Sequence, residues 1–239
     1  MRPTVYICSL LITVLTFTNN AYASGDILVL EDFSTDEVGK LPKDWRWQWS
    51  DDDKNKPYQI KKENGNKYLA AQDNGESVVV AKKVNWDINE YPYISFKWRA
   101  TKLPKGGDAR TGATADNGVS VSIIYKKILR VIPEAVKYVW STTLPVGTSF
   151  QRSGIGRPWI VVAESGTKNL GSNWLTYTFN AKEAYSKTFG GKPPKNPVAI
   201  AILSDANNTK SMAYGDYSDI VVMKSAKANS GIKKILELK

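Results

Sequence analysis

The chain has 239 residues, with 33 Lys and Arg against 23 Asp and Glu, a formal net charge of +10 at pH 7, and no histidine. Without histidine, Ser-His-Asp catalysis, Cys-His catalysis and His-ligated zinc are excluded, and a single cysteine excludes an internal disulfide framework. The positive balance favours an anionic surface or polyanionic glycan as partner. No basic-aromatic nucleic-acid motif occurs, so nucleic acid is not an expected partner.

The N-terminus reads as a secretory signal. Arg2 supplies a minimal positive region, Val5 to Phe17 an apolar run, and Ala21-Tyr22-Ala23 an A-x-A cleavage pattern. The apolar run is shorter than the roughly 20 residues that span a bilayer, although an uncleaved anchor is the alternative. Cleavage after Ala23 removes Cys8 and leaves an exported protein, in the periplasm or outside the cell, with no transmembrane segment and an ordinary core in place of disulfides. The expected organisation is a signal over 1–23, one domain over 24–224 and a basic C-terminal tail over 225–239.

Strand patterns dominate the chain beyond the signal. Ile27 to Phe33 is the first; Trp45, Trp47 and Trp49 then alternate with Arg46 and Gln48, which puts three indoles on one face. Val78 to Ala81, Ile94 to Trp98, Val119 to Ile123, Val136 to Trp140 and Trp159 to Ala163 continue the series. Trp174 to Phe179, Val198 to Leu203 and Asp219 to Met223 complete it. Turn signals at Leu103 to Gly107, Leu144 to Gly147 and Ser165-Gly166 separate the runs. About ten short strands so spaced predict an all-β protein with one short helix. The architecture expected is a two-sheet antiparallel β-sandwich of jelly-roll or concanavalin-like type. The helix is capped by Asn180 with Glu183 returning the bond, buries Ala181, Ala184, Tyr185 and Phe189 on one face, and stops at Gly190-Gly191. A further helical turn is expected near Lys126 to Ile132, limited by Pro133.

Three blocks carry a resemblance. The first is Trp98-Arg99, Leu103-Pro104, Gly107-Asp108-Ala109-Arg110 and Asp116; the second is Lys137 to Ser141 followed by Pro145 to Thr148. The third joins Asn180, Tyr185 and Phe189-Gly190 to Ser204-Asp205-Ala206-Asn207-Asn208-Thr209 and Tyr217 to Ile220. With the opening Glu31-Asp32-Phe33, their order and spacing resemble the bacterial family catalogued as domain of unknown function 3047. The resemblance implies an exported jelly-roll-like fold and no particular chemistry. In the family pattern the late loop is Asp-x-Asp-Asn-Thr, where this chain has Asn207, and the helix offers an Asp before its Tyr, where this chain has Ala181 to Ala184. Both departures remove acidity.

The candidate site residues fall into four groups. Trp45, Trp47 and Trp49, with Tyr138 and Trp140, form either a stacking platform for sugar rings or an apolar core face. Asp205 and Asn208, in a polar loop after a buried strand, bind a ligand or close an Asx-turn. Asp108 and Arg110 form a site salt bridge or pin the loop Gly106 to Gly118. Lys126, Lys127, Arg130 and Lys137 meet an anionic glycan or form a solvated face. No cofactor is required, but calcium could be shared by Asp32 and Asp219 if the first and last strands lie side by side, as they often do in jelly rolls. Carboxylate catalysis finds little support, because the Glu-x-Asp-x-x-Glu strand motif of jelly-roll glucanases does not occur. Asp51 to Asp53 read as a solvated run, and Asp216 and Asp219, three apart on an extended segment, are expected to face opposite ways. The best-supported role is non-catalytic binding of a carbohydrate or other cell-envelope ligand. A carboxylate-dependent polysaccharide hydrolase or lyase is the alternative, and an envelope scaffold the third.

Overall fold

A computed structural model describes residues 25–47, 57–128, 132–152 and 157–226, with the backbone alone at 47, 127 and 128. The signal segment, Trp49, the Asp51 to Asp53 run, Arg130 and the tail beyond 226 lie outside the described residues. The described chain forms β1 (Ile27–Glu31), β2 (Trp45–Trp47), β3 (Tyr58–Glu63), β4 (Asn66–Asp73), β5 (Val80–Lys83) and β6 (Tyr93–Lys102). Next come β7 (Ser120–Ile128), β8 (Ile132–Ser141), β9 (Ser149–Gln151), β10 (Trp159–Ser165), β11 (Leu175–Asn180), α1 (Ala181–Phe189), β12 (Ala199–Ile202) and β13 (Ala213–Met223).

Two sheets result, as the strand pattern predicts. One runs β11-β6-β13-β4-β3, with β1 paired to the far half of β13; the other runs β2-β5-β12-β7-β8-β10-β9. The first and last strands do lie side by side, Ile27 opposite Met223. One pairing departs from the antiparallel expectation: β10 runs parallel to β8, Trp159 opposite Val136, after a crossover that contains β9. Three strands, β3, β4 and β9, are additional to those expected, and one expected helical turn is not formed in the described residues. The hairpin β3–β4 turns at Asn64-Gly65, both in the left-handed region that such a turn demands. Between Lys126 and Ile132 there is no helical turn in the described residues, because β7 extends to Ile128 and pairs it with Ile132 of β8.

Alternation buries one face of each sheet against the other. Ile94, Phe96 and Trp98 of β6 meet Val121, Ile123 and Tyr125 of β7 and Val136, Tyr138 and Trp140 of β8 in one core. Tyr138 stacks on Phe179 with ring centroids 3.8 Å apart. Glu31 ties the sheets together at one end: it accepts from Trp45 Nε1 at 2.8 Å and pairs with Lys82 at 2.8 Å. Gly215 of β13 permits a close approach, since a Cβ there would lie 2.1 Å from Val119 Cγ1. Asn180 Oδ1 caps α1 by accepting from Glu183 N at 3.0 Å, while the Glu183 carboxylate pairs with Lys187.

The outer face of the β6 sheet carries a buried cation. Arg99 Nε donates to Asp216 Oδ2 at 2.6 Å, and its Nη1 donates to Glu63 Oε2 at 2.9 Å and Ser172 O at 3.0 Å. The guanidinium also lies 5.1 Å from the Tyr68 ring and 4.5 Å from that of Trp174. Beside it Lys97 pairs with Asp219 at 2.6 Å. Asp216 and Asp219 thus both reach cations of β6, contrary to the expectation of opposite faces. A register shift between Ser218 and Val221, with Asp219 at φ 46°, supplies the extra residue that turns the second carboxylate round.

Candidate functional site

The outer face of the second sheet is hollow because of what its strands present there. With Val121, Ile123 and Val136 facing the core, the outward positions of β7, β8 and β12 include Ser122, Ala135 and Ala201, all small side chains. Ile124 packs with Ala135 and Ala201 into an aliphatic floor. Farther along, the same face is covered by a second cluster of Ala109, Val139, Leu144, Ile160 and Val162. The uncovered part is a cleft of about 920 Å³, within the range of ligand sites. Its walls come from the loops bearing Ser77, Ala109 to Asn117 and Leu203 to Asn208, and from Arg152, Arg157 and Pro158.

A backbone bridge braces one wall. Asn117 and Asp205 exchange both N–H···O bonds at 3.1 Å. Beside it Asp116 holds the late loop: its carboxylate accepts from Asn208 N (3.2 Å), Asn208 Nδ2 (2.9 Å), Thr209 N (2.7 Å) and Thr209 Oγ1 (2.6 Å). Burial works against the Asp116 charge, yet those donors outweigh it and keep its carboxyl below the usual range. The late loop is therefore shaped by a carboxylate from another loop rather than by an Asx-turn of Asp205.

Asp205 itself faces a different environment. It is 6% exposed, and its Oδ1 has no hydrogen-bond partner among the described residues. Burial raises its pKa, against the opposing pull of Lys137 and a bond from Ser77. Lys137, 9% exposed, donates from Nζ to Asn117 Oδ1 at 2.8 Å. Burial pulls its pKa down and Arg152 adds to the fall, while Asp205 and Asp116 oppose it. Arg152 is likewise pulled down by burial and by Arg157. Neither arginine side chain forms an ion pair among the described residues. Just behind Ser77, the buried Asp73 accepts from Glu76 N at 2.8 Å and Ser77 N at 3.0 Å. Burial and the neighbouring Glu76 push its carboxyl up to about 7.

Of the residues singled out in the sequence, Lys137, Asp205 and Asn208 line the cleft. Trp45, Tyr138 and Trp140 do not: at 0%, 1% and 0% exposure they fill the core, so the platform reading is corrected for these three. The apolar gap between two sheets is where large rings bury most surface. The Trp47 side chain and all of Trp49 lie outside the described residues. Asp108 and Arg110 pair with each other at 2.6 Å at the exposed rim, where they pin the loop that carries Ala109 and Gly112 into the wall. Asp32 accepts from Ser34 N in a local turn, and Asp219 is engaged by Lys97. Among the described residues no group of three or more His, Cys, Asp and Glu side chains gathers to hold a metal. Sequence reasoning placed Lys137 in a diffuse basic group and missed Arg152, Arg157, Asn117 and Ser77. A lysine at an outward position of an otherwise apolar strand was the available signal for the first.

A family model described as "Protein of unknown function (DUF3047)" matches residues 43–221. No curated protein matches the chain. Among solved structures, the chain is similar to the family 11 carbohydrate-binding module of a cellulosomal cellulase of Clostridium thermocellum: 13% identity, TM-score 0.46, covering 83% of this chain and 95% of that one. An adhesin domain of Lys-gingipain from Porphyromonas gingivalis gives 10% identity and TM-score 0.42 over 84% and 100% of the two chains. An endoglucanase from Rhodothermus marinus gives 10% and 0.41 over 76% and 93%. At these identities and TM-scores the matches carry no argument about a ligand.

Proposed function

The chain belongs to the DUF3047 family of proteins of unknown function, and from that premise we propose that it is a glycan-binding β-sandwich whose outer cleft holds a saccharide chain without cleaving it. The observation that carries this reading is the composition of the cleft: an aliphatic floor of Ile124, Ala135 and Ala201 under walls bearing Ser77, Asn117, Asn207 and Asn208. A sugar offers apolar C–H faces and a rim of hydroxyls that both donate and accept. Amides match that rim because each carries donors and an acceptor. The absence of aromatic residues from the described lining puts recognition on hydrogen bonds and aliphatic contact, not on ring stacking.

Binding is favoured over hydrolysis by the carboxylate inventory. Glycoside hydrolysis generally needs two carboxyl groups roughly 5–9.5 Å apart across the scissile bond. Among the described residues a single carboxylate, Asp205, lines the cleft. The next nearest in the wall, Asp116, already accepts four hydrogen bonds. The signal-like sequence of the N-terminal segment supports, within the same proposal, a role outside the cytoplasm.

Ser122→Trp tests the location. An indole at the centre of the floor fills the groove from the solvent side and leaves the core packing alone. Isothermal titration against a panel of soluble oligosaccharides is expected to give saturable binding to the native protein and at least a tenfold loss in the variant. Unchanged affinity in a folded variant would move the site elsewhere. A panel with no binder would remove the glycan reading itself.

A further inference from the structure

Three cationic side chains share the cleft with one carboxylate, and that imbalance has a chemical meaning. Lys137 is nine-tenths buried, and its ammonium, which has three donors, makes one hydrogen bond among the described residues, to the neutral amide oxygen of Asn117. Arg152 and Arg157 flank it, each without an ion-pair partner there, and the charges of Lys137 and Arg152 repel. Burying like charges together costs free energy unless an anion arrives to take the unused donors. Asp205 cannot neutralise all three, and its own Oδ1 remains without a donor. These cations are moreover held in different parts of the chain, Lys137 in β8, Arg152 just after β9 and Arg157 just before β10, so the convergence is a product of the fold.

Resting on the glycan-binding reading, we propose that the cleft is selective for an acidic glycan, a saccharide chain bearing carboxylates, with one sugar carboxylate seated against Lys137 and Arg152 and Arg157 engaging it or its neighbour. Guanidinium forks and a buried ammonium match a planar carboxylate in both charge and geometry. Asn207 and Asn208, exposed in the cleft wall, then take the adjoining hydroxyls.

The test is titration of the purified protein with three hexasaccharide-length probes: oligogalacturonate, a neutral cello-oligosaccharide and a sulfated oligosaccharide. Oligogalacturonate is expected to bind at least tenfold more tightly than the neutral probe. Its affinity should fall as salt rises from 50 to 500 mM, because the contact is ionic. K137M and, separately, the R152Q/R157Q pair should each weaken oligogalacturonate binding by tenfold or more and flatten that salt dependence. Arg157 is exposed and Arg152 only half-buried, so the pair reports even if K137M fails to fold. Lys40→Met, an equal loss of charge at a distant exposed lysine, should change affinity by less than twofold. Neutral binding equal to or tighter than acidic binding would overturn the selectivity and leave the glycan-binding reading standing. A sulfated probe preferred over oligogalacturonate would overturn the carboxylate assignment. Failure of all three probes would overturn this inference together with the reading on which it rests.

Discussion

Arg99 offers the sharpest test of the energetics, because its partners differ in how much water they can recover. Replacing it with Met keeps an apolar stem over Tyr68 and Trp174 and removes the charge. Glu63, with a side chain 43% exposed, returns to solvent at little cost. Asp216, 15% exposed, does not: it loses its 2.6 Å partner and stays buried beside the sheet. Breaking a buried pair from one side costs about 3–5 kcal/mol, and the guanidinium's stacking on two rings adds about 0.5–1 kcal/mol. We expect a loss near 4 kcal/mol in urea unfolding at pH 7, equivalent to a melting shift of roughly 8–16 °C for a domain of this size. The loss should carry a protonation signature. Burial already raises the Asp216 pKa against the pull of Arg99, and without that cation it rises further above its unfolded value. The penalty is then present at high pH and fades as pH falls through the folded pKa, where the carboxyl becomes neutral. Adding Asp216→Asn should recover most of the loss at pH 7. A cost under 1 kcal/mol, or no recovery in the double variant, would refute the reasoning.

Asp73→Asn should alter the pH profile of stability. With a folded pKa near 7 against an ordinary 3.8, the native state holds the extra proton, so native stability falls as pH rises from about 4 to 7, by at most about 4 kcal/mol at 1.36 kcal/mol per unit. Asparagine keeps an acceptor for the Glu76 and Ser77 amides; the variant should lose that slope and exceed the native protein in urea midpoint at pH 8. An unchanged slope would relieve Asp73 of the role. Gly215→Ala tests sheet spacing: its Cβ would lie 2.1 Å from Val119 Cγ1 and 2.6 Å from Arg99 O. The backbone oxygen gives little, so the cost should reach or exceed the roughly 1–3 kcal/mol of overpacking; thermal unfolding within 1 °C of native would count against the close approach.

The sequence carried the architecture wherever a local rule decided it. Ile94, Phe96 and Trp98 alternate and are buried accordingly, and Asn180 caps the helix it was expected to cap. The β3–β4 hairpin is legible in its Asn64-Gly65 turn, but Lys61, Lys62, Glu63 and Lys67 thin the apolar alternation around that turn and mask the two strands. The parallel pairing of β8 with β10 has no local signature, since parallel and antiparallel neighbours present the same side-chain alternation. The indoles show the limit of periodicity. It put Trp45 and Trp47 on one face without saying whether that face met the other sheet or water. The cleft was hidden for a further reason: Ser77, Lys137, Arg152 and Asp205 are drawn together by non-local pairings, such as Ala199 opposite Lys83 and Asn117 opposite Asp205, and no spacing rule connects them.

The position of β13 has a consequence for how the chain acquires its shape. It lies inside its sheet, bonded to β6 on one side and to β4 and β1 on the other, yet it comes after all three in sequence. During synthesis β3–β4 can form as a local hairpin, but it has nothing to join to β6 until residues 213–223 emerge. Until then β4 and β6 each present an open ladder edge, the surface most prone to pairing with a foreign strand. Closing over such distances in sequence is slow, on the milliseconds-to-seconds scale typical of non-local sheets. β13 acts as a latch: a nascent chain stays unlocked, and dependent on being kept apart from its copies, until residues 213–223 have been made.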